Sequence, residues 1–350
     1  MPIWWPFAVG GALLTSACLT PVCARLALRL GLVDAPLIER KQHASPTPVL
    51  GGLSIFVALA IPTALILLLT DHLTAGDMDV GHFIGFFVGA VVLIVGGVLD
   101  DKYAFPPRLS ILFPLLAAVC AVAFGIGVEK VTNPFGGVFL LTATTTIILT
   151  FVWLLGMTYT TKLLDGLDGL ATGLTLIGSV MIGLLALSEA YFQPDVAVLA
   201  LMFAAALFGF WLWNIHPAKI FLGEGGSTLL GYTLGVLAVI AGSKFATTLL
   251  VVGLPMLDVG LVVYHRWRAG RSIFNGDRTH FHHLLLRAGL SQPQALVIYL
   301  AIASAFGLTT LMFESWQKIT ALGVLVIVAS LGLHYLYLKY CATKYVQANN

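Results

Sequence analysis

Apolar stretches separated by short polar breaks run almost the whole length of this chain. About eleven can be drawn, near residues 5–29, 50–70, 82–99, 108–127, 138–157, 168–188, 195–213, 227–242, 245–264, 294–312 and 319–340. A helix needs roughly 20 apolar residues to cross a bilayer, and most of these stretches approach that length. The pattern predicts an all-α, polytopic membrane protein: one integral-membrane domain over 1–350, with no internal repeat or low-complexity tract. The first stretch has no basic residues ahead of it and no small-residue cleavage site. A retained helix is therefore expected there, not a removed signal segment.

Composition supports lipid as the solvent. Of 350 residues, 59% are hydrophobic and 10% charged, whereas soluble chains carry about 25% charged residues. So few charges cannot clothe a soluble particle of this size. The formal net charge of +2 gives no footing for nucleic acid. Cys18, Cys23, Cys120 and Cys341 lie in or beside apolar runs without metal-ligand spacing, and are expected to act as small apolar side chains.

The distribution of charge is more informative than its total. Assigning the breaks alternately to two faces puts Lys130, Lys244 and Lys318 on one and the other fifteen of the eighteen Lys and Arg on the opposite face. By the positive-inside rule the rich face is cytoplasmic, the N-terminus outside and the C-terminus inside. The same face gathers acids at the ends of apolar stretches, where ionisable groups are costly unless they serve a purpose. The active-site loops are expected near 30–50, 100–108, 158–168, 214–227 and 265–293.

Five blocks carry this chemistry. Asp100 and Asp101 end the third stretch. Adjacent carboxylates raise one another's pKa, and a divalent cation relieves the repulsion; a hydrated helix end is the plainer reading. Asp165-Gly166-Leu167-Asp168-Gly169 opens the sixth stretch, with acids three apart on what would be one helical face, or one of them as a cap. Asn214 to Ser227 includes Lys219, Gly223 and Glu224. It is a Gly-rich turn before an apolar helix, with Ser227 as its N-cap, and it suits a phosphate or serves as a tight connection. The 265–293 loop holds Arg266, Arg268, Arg278, His280, His282 and His283. Without a cysteine or spaced carboxylate a zinc site is incomplete, and the arginines favour diphosphate or nucleotide. Lys41 and His43 sit before a Pro- and Gly-rich turn at headgroup level, where attraction to anionic lipid is the alternative.

Taken in this order, the five blocks resemble those of the polyprenyl-phosphate N-acetylhexosamine-1-phosphate transferases, over nearly the whole chain. Asp277-Arg278-Thr279-His280-Phe281-His282-His283-Leu284 with Arg287-Ala288-Gly289 is similar to the WecA-type branch. The resemblance implies a UDP-N-acetylhexosamine donor, UDP-GlcNAc in the first instance, and undecaprenyl phosphate as acceptor. It further implies Mg²⁺ with Mn²⁺ as a substitute, UMP and a polyprenyl-diphospho-sugar as products, and a homodimer. On that basis Asp101 and Glu224 are assigned to the metal and Asp100 to the acceptor. Asp165 and Asp168 are assigned to nucleotide, metal or a covalent phosphate intermediate. Lys41, His43, Lys162, Asn214, Lys219, Gly223, Ser227, Arg266, Arg268, Arg278, His280, His282 and His283 are assigned to substrate. The family usually has Asn where this chain has Lys162, and Asp where it has Glu224. An MraY-type transferase is the alternative within the family. An ion-coupled transporter is the alternative outside it, disfavoured because the acids line one edge and no repeat is visible.

Overall fold

The computed structural model describes residues 3–34, 46–76, 78–133, 136–189, 191–242, 244–268, 270 and 280–348. The described helices are α1 (Trp5–Leu30), α2 (Gly51–Leu69), α3 (Val80–Tyr103), α4 (Pro107–Ser110), α5 (Leu112–Ala123), α6 (Ala143–Leu164), α7 (Leu170–Ala186), α8 (Pro194–Asn214), α9 (Gly223–Ile240), α10 (Phe245–Arg268), α11 (Phe281–Arg287), α12 (Gln292–Met312) and α13 (Ser315–Ala348). Seven helices are long and apolar enough to cross a membrane, and three shorter apolar segments accompany them. Each of the eleven predicted stretches contains a helix, the fourth as the α4–α5 pair.

Local chemistry sets several boundaries. Asp79 and His82 form a reciprocal cap at the start of α3, and Ser291 with Gln294 does the same for α12. Gly31, at φ 70°, ends α1 in the left-handed conformation. One predicted boundary moves. The stretch expected from 138 begins as a helix only at Ala143, because Val138–Leu140 (β4) pairs antiparallel with Lys130–Thr132 (β3). A second ribbon pairs Val33–Asp34 (β1) with Thr47–Pro48 (β2). The last helix runs on to Ala348, past the predicted end.

α9 is the hub of the bundle. It packs against α2, α3, α6 and α7, and every residue from Gly225 to Val239 is buried. Close approach depends on small residues, as helix contacts in lipid generally do. A methyl group added at Gly97 of α3 would overlap the backbone of Gly225, and one at Gly52 of α2 would overlap that of Gly226. Backbone bonds then stitch the segment before α2 to the segment before α9. Phe221 N–H donates to Pro48 O (2.9 Å), Gly51 N–H to Phe221 O (2.9 Å) and Gly52 N–H to Leu222 O (3.0 Å). The C-terminal ends of α3, α6, α8 and α10 and the N-terminal end of α9 therefore share one end of the bundle.

Candidate active site

The centre of that end is the first turn of α9. The Gly97–Gly225 contact brings the free N–H of Glu224 onto the carboxylate of Asp101, at 3.2 Å from Oδ1 and 3.1 Å from Oδ2. Helix N-termini favour negative charge for this reason. Gly223 has φ +75°, and a Cβ there would lie 2.6 Å from Asp101 Oδ2. Only glycine meets both demands.

Around this contact runs a polar chain. Lys162, in the last turn of α6, places its Nζ 2.7 Å from Glu224 Oε2. The same Nζ donates to Ser110 Oγ at 3.4 Å, and Ser110 donates to Asp100 Oδ2 at 2.6 Å. The other oxygen of Asp100 accepts Phe105 N–H at 2.9 Å. Both oxygens of Asp100 are thus engaged in holding the α3–α4 turn.

Asp165 and Asp168 were predicted to share a face of the sixth span. They lie instead in the turn before it: Asp165 is the C-cap of α6, and Gly169, at φ 77°, precedes α7. Asp165 is accessible at its surface yet closely ringed by protein. Desolvation first, then Glu224, Asp101 and Asp168, push its carboxyl up to about 7. Asp165 thus lies within electrostatic reach of Glu224, Asp101 and Asp168. Asp168 Oδ2 bonds His216 Nδ1 at 2.8 Å and accepts Ala218 N–H at 3.2 Å. Trp211 Nε1–H donates to Gly169 O at 2.9 Å, so the turn is tied to the end of α8.

The histidines divide by role. His280 is the N-cap of α11. Its Nδ1 meets Asp258 Oδ2 of α10 at 3.0 Å, and Phe281 N–H donates to Asp258 Oδ1 at 2.9 Å. His282 is buried, and neither ring nitrogen has a partner among the described residues. Burial, then His283 and His280, hold its pKa well below the ordinary value. Its Nε2 faces Gly166, where a Cβ would approach to 2.9 Å. The ring centroids of His282 and His283 are 4.3 Å apart. Arg266 and Arg268 stand at the same end of the bundle, at the close of α10.

Other predicted residues sit differently. Asn214 is buried, accepting from Thr172 Oγ1 (3.0 Å) and donating to Ile220 O (3.0 Å), which makes it a brace for the loop. Ser227 is not the N-cap of α9, which starts at Gly223; its hydroxyl donates to Glu224 O within the helix at 3.2 Å. Lys219 Nζ lies 5.2 Å from the centre of the Trp213 ring. Lys41, His43 and Arg278 lie outside the described residues. Ser110 and His216 had no distinguishing signal as site residues. Asp258 had one, as an acid inside an apolar span.

Among the described residues, no three His, Cys, Asp or Glu side chains gather into a ready-made metal cage. Mg²⁺ commonly takes one or two carboxylates and completes its shell with water and substrate phosphates. Asp101 and Glu224, joined through the Glu224 N–H and set among further acids, supply oxygen donors of that kind.

Acids and bases from separate segments meeting at one end of an apolar helical bundle define a polytopic membrane enzyme. Residues 83–242 match the family model described as glycosyl transferase family 4. The chain is 31% identical to a probable undecaprenyl-phosphate N-acetylglucosaminyl 1-phosphate transferase of Bacillus subtilis, over 90% of this chain and 87% of the relative. It is 32% identical to a decaprenyl-phosphate N-acetylglucosaminephosphotransferase of Mycolicibacterium smegmatis, covering 87% and 81% respectively. To an undecaprenyl-phosphate alpha-N-acetylglucosaminyl 1-phosphate transferase of Escherichia coli it is 28% identical, covering 78% and 74%. The chain belongs to glycosyl transferase family 4 and is a phosphoglycosyl transferase, as its motifs led us to expect.

Proposed function

We propose that the enzyme transfers GlcNAc-1-phosphate from UDP-GlcNAc to undecaprenyl phosphate, releasing UMP, with its site on the cytoplasmic side of the cytoplasmic membrane. The names of the relatives support the substrates, and the fifteen basic residues on one face support the orientation. On this reading the chain crosses the membrane about eleven times, N-terminus outside.

The observation that carries the proposal is the Asp101–Glu224–Lys162 contact at the end of an apolar bundle. A lipid phosphate reaches such a site from the membrane, and a nucleotide sugar reaches it from water. An oxygen of the lipid phosphate attacks the sugar-linked phosphorus. A new O–P bond forms, the bond from that phosphorus to the bridging oxygen breaks, and UMP leaves with that oxygen. The sugar C1–O bond is untouched, so the anomeric configuration is kept. A phosphate monoester has a second pKa of about 6, so the acceptor arrives largely dianionic and little base catalysis is required.

The remaining task is to neutralise charge and align the reactants. Asp101 and Glu224 would hold Mg²⁺, which when bound supplies charge neutralisation at the diphosphate. Lys162, Arg266 and Arg268 are the described basic residues assigned to the phosphates. Asp100 positions, because both of its oxygens are committed to the α3–α4 turn. Asp165 and Asp168 fix the nucleotide side of the pocket, against which His282 packs. The test is to incubate the purified enzyme with undecaprenyl phosphate, Mg²⁺ and a panel of UDP-sugars, reading the lipid product by mass spectrometry. A HexNAc-diphospho-lipid with stoichiometric UMP is expected; no lipid product from any UDP-N-acetylhexosamine would overturn the reading.

A further inference from the structure

The three lysines on the sparsely charged face, Lys130, Lys244 and Lys318, come from β3, the residue before α10 and the first turns of α13. Lys130 and Lys244 line one cavity of about 540 Å³, together with His72, Tyr191, Gln193 and Asp195. A smaller cavity of about 270 Å³ shares Lys130 and Gln193 with it and includes His82. His82 begins α3 and Asp101 ends it. At 1.5 Å per residue the cavities lie roughly 28 Å from the candidate active site.

The environment is positive and incompletely neutralised. Lys244 is fixed by its backbone, its N–H donating to Ala238 O at 2.8 Å and its carbonyl accepting Thr248 Oγ1 at 3.1 Å. Its ammonium rests over the Tyr191 ring, 3.1 Å from the centroid. Burial, then Lys318 and Lys130, push its pKa down to about 7, so Lys244 feels both of the other lysines. Among the described residues none of the three makes an ion pair, although Lys318 is only 6% exposed. Asp195 and Glu129 are the carboxylates that line these two cavities. Asp195 is buried with its carboxylate turned to the Gly76 turn, and Glu129 is an exposed residue of the smaller cavity. Crowded like charges are costly until a counter-anion enters. Lysine, with three rotatable donors, suits a phosphate oxygen. Phe192, which lines the larger cavity, is 68% exposed, and Leu140 of the neighbouring ribbon is 80% exposed, an apolar border such as acyl chains cover.

We propose that this cavity is a second, non-catalytic binding site for a phosphate group, presented either by a phosphorylated lipid headgroup or as free phosphate. The proposal does not rest on the catalytic reading.

The experiment uses the full chain in phosphatidylcholine nanodiscs without Mg²⁺, followed by thermal unfolding. One arm adds sodium phosphate against sodium chloride at equal ionic strength; the other replaces part of the lipid by phosphatidylglycerol. A saturable rise in Tm in the first arm identifies free phosphate as a ligand, and a rise in the second alone identifies the headgroup. Lys244→Gln should weaken the response about tenfold, the order expected for one charge-assisted hydrogen bond, and leave sugar-phosphate transfer unchanged. Asp101→Asn should keep the response, separating this site from the catalytic end. Lys130→Gln alters an exposed side chain and should show the same loss even if Lys244→Gln folds poorly. No rise in either arm, or an equal rise in both lysine variants, would overturn the proposal.

Discussion

The ammonium of Lys162 rests 2.7 Å from a carboxylate oxygen of Glu224. These are two positions at which the family usually has Asn and Asp by the resemblance described above, and the structure places them against each other. The extra methylene of glutamate carries its charge to the lysine, and the lysine supplies a charge that asparagine cannot. Side-chain exposures of 23% and 37% keep the pair within reach of water, so its contribution is that of a screened ion pair.

The two departures are expected to compensate. Lys162→Asn should stay active and reach half-maximal rate at lower Mg²⁺, because Glu224 is freed from its partner. Glu224→Asp should damage turnover more in the native background than in Lys162→Asn, with a coupling of about 0.5–1 kcal/mol. A double-mutant cycle on UMP release measures this; strict additivity would separate the two residues.

Asp101→Asn is expected to fold and to fail. The amide can still accept the Glu224 N–H, so Tm should stay close to that of the unaltered enzyme. Loss of the charge should lower kcat on the order of 10²–10³-fold, as when other electrostatic groups are removed from active sites. Near-normal turnover in saturating Mg²⁺ would remove Asp101 from its assigned role.

Asp258 is buried and anchors both His280 and the first N–H of α11. Asp258→Ala should loosen that helix, costing about 1–3 kcal/mol for the groups left unsatisfied. Hydrogen exchange should rise in residues 281–287, and KM for the nucleotide sugar should rise more than kcat falls. Unchanged exchange in that segment would contradict the anchoring role.

His282 introduces a pH dependence of stability. Burial holds its folded pKa well below the ordinary histidine value of about 6.5. As pH falls below about 6.5 the unfolded chain takes up a proton that the folded chain refuses, so stability declines from there toward the folded pKa. Thermal unfolding in nanodiscs between pH 7.5 and 5 should show this decline, and His282→Phe should flatten part of it.

Gly97→Ala is expected to separate α3 from α9. The added methyl overlaps the Gly225 backbone, and overpacking of this kind costs about 1–3 kcal/mol. Stability and turnover should fall together, in contrast to Asp101→Asn.

Most helices could be read in the sequence because lipid imposes one simple demand, a long apolar run. Where another demand competed, the reading slipped. Val138–Leu140 is apolar enough to extend a span, but its pairing with Lys130–Thr132 is a non-local contact that no window of hydropathy contains. The acids and the Gly-rich turn stood out because charge at span ends is rare. Their exact setting did not, as with Ser227, which has the residue type of a cap but lies inside the first turns of α9. Ser110 joins Asp100 to Lys162 only through folding. Asp258 was visible as a charge in an apolar span, but its partner His280 lies in another segment of the chain.

The enclosure of α9 bears on how the protein is built. Its sequence is rich in Gly, Ser and Thr, and it is not among the helices apolar enough to count as a span by itself. Left in lipid without company, such a segment would be a poor resident of the bilayer. Its burial needs α2, α3, α6 and α7 around it, so the catalytic end is complete only when these helices have come together.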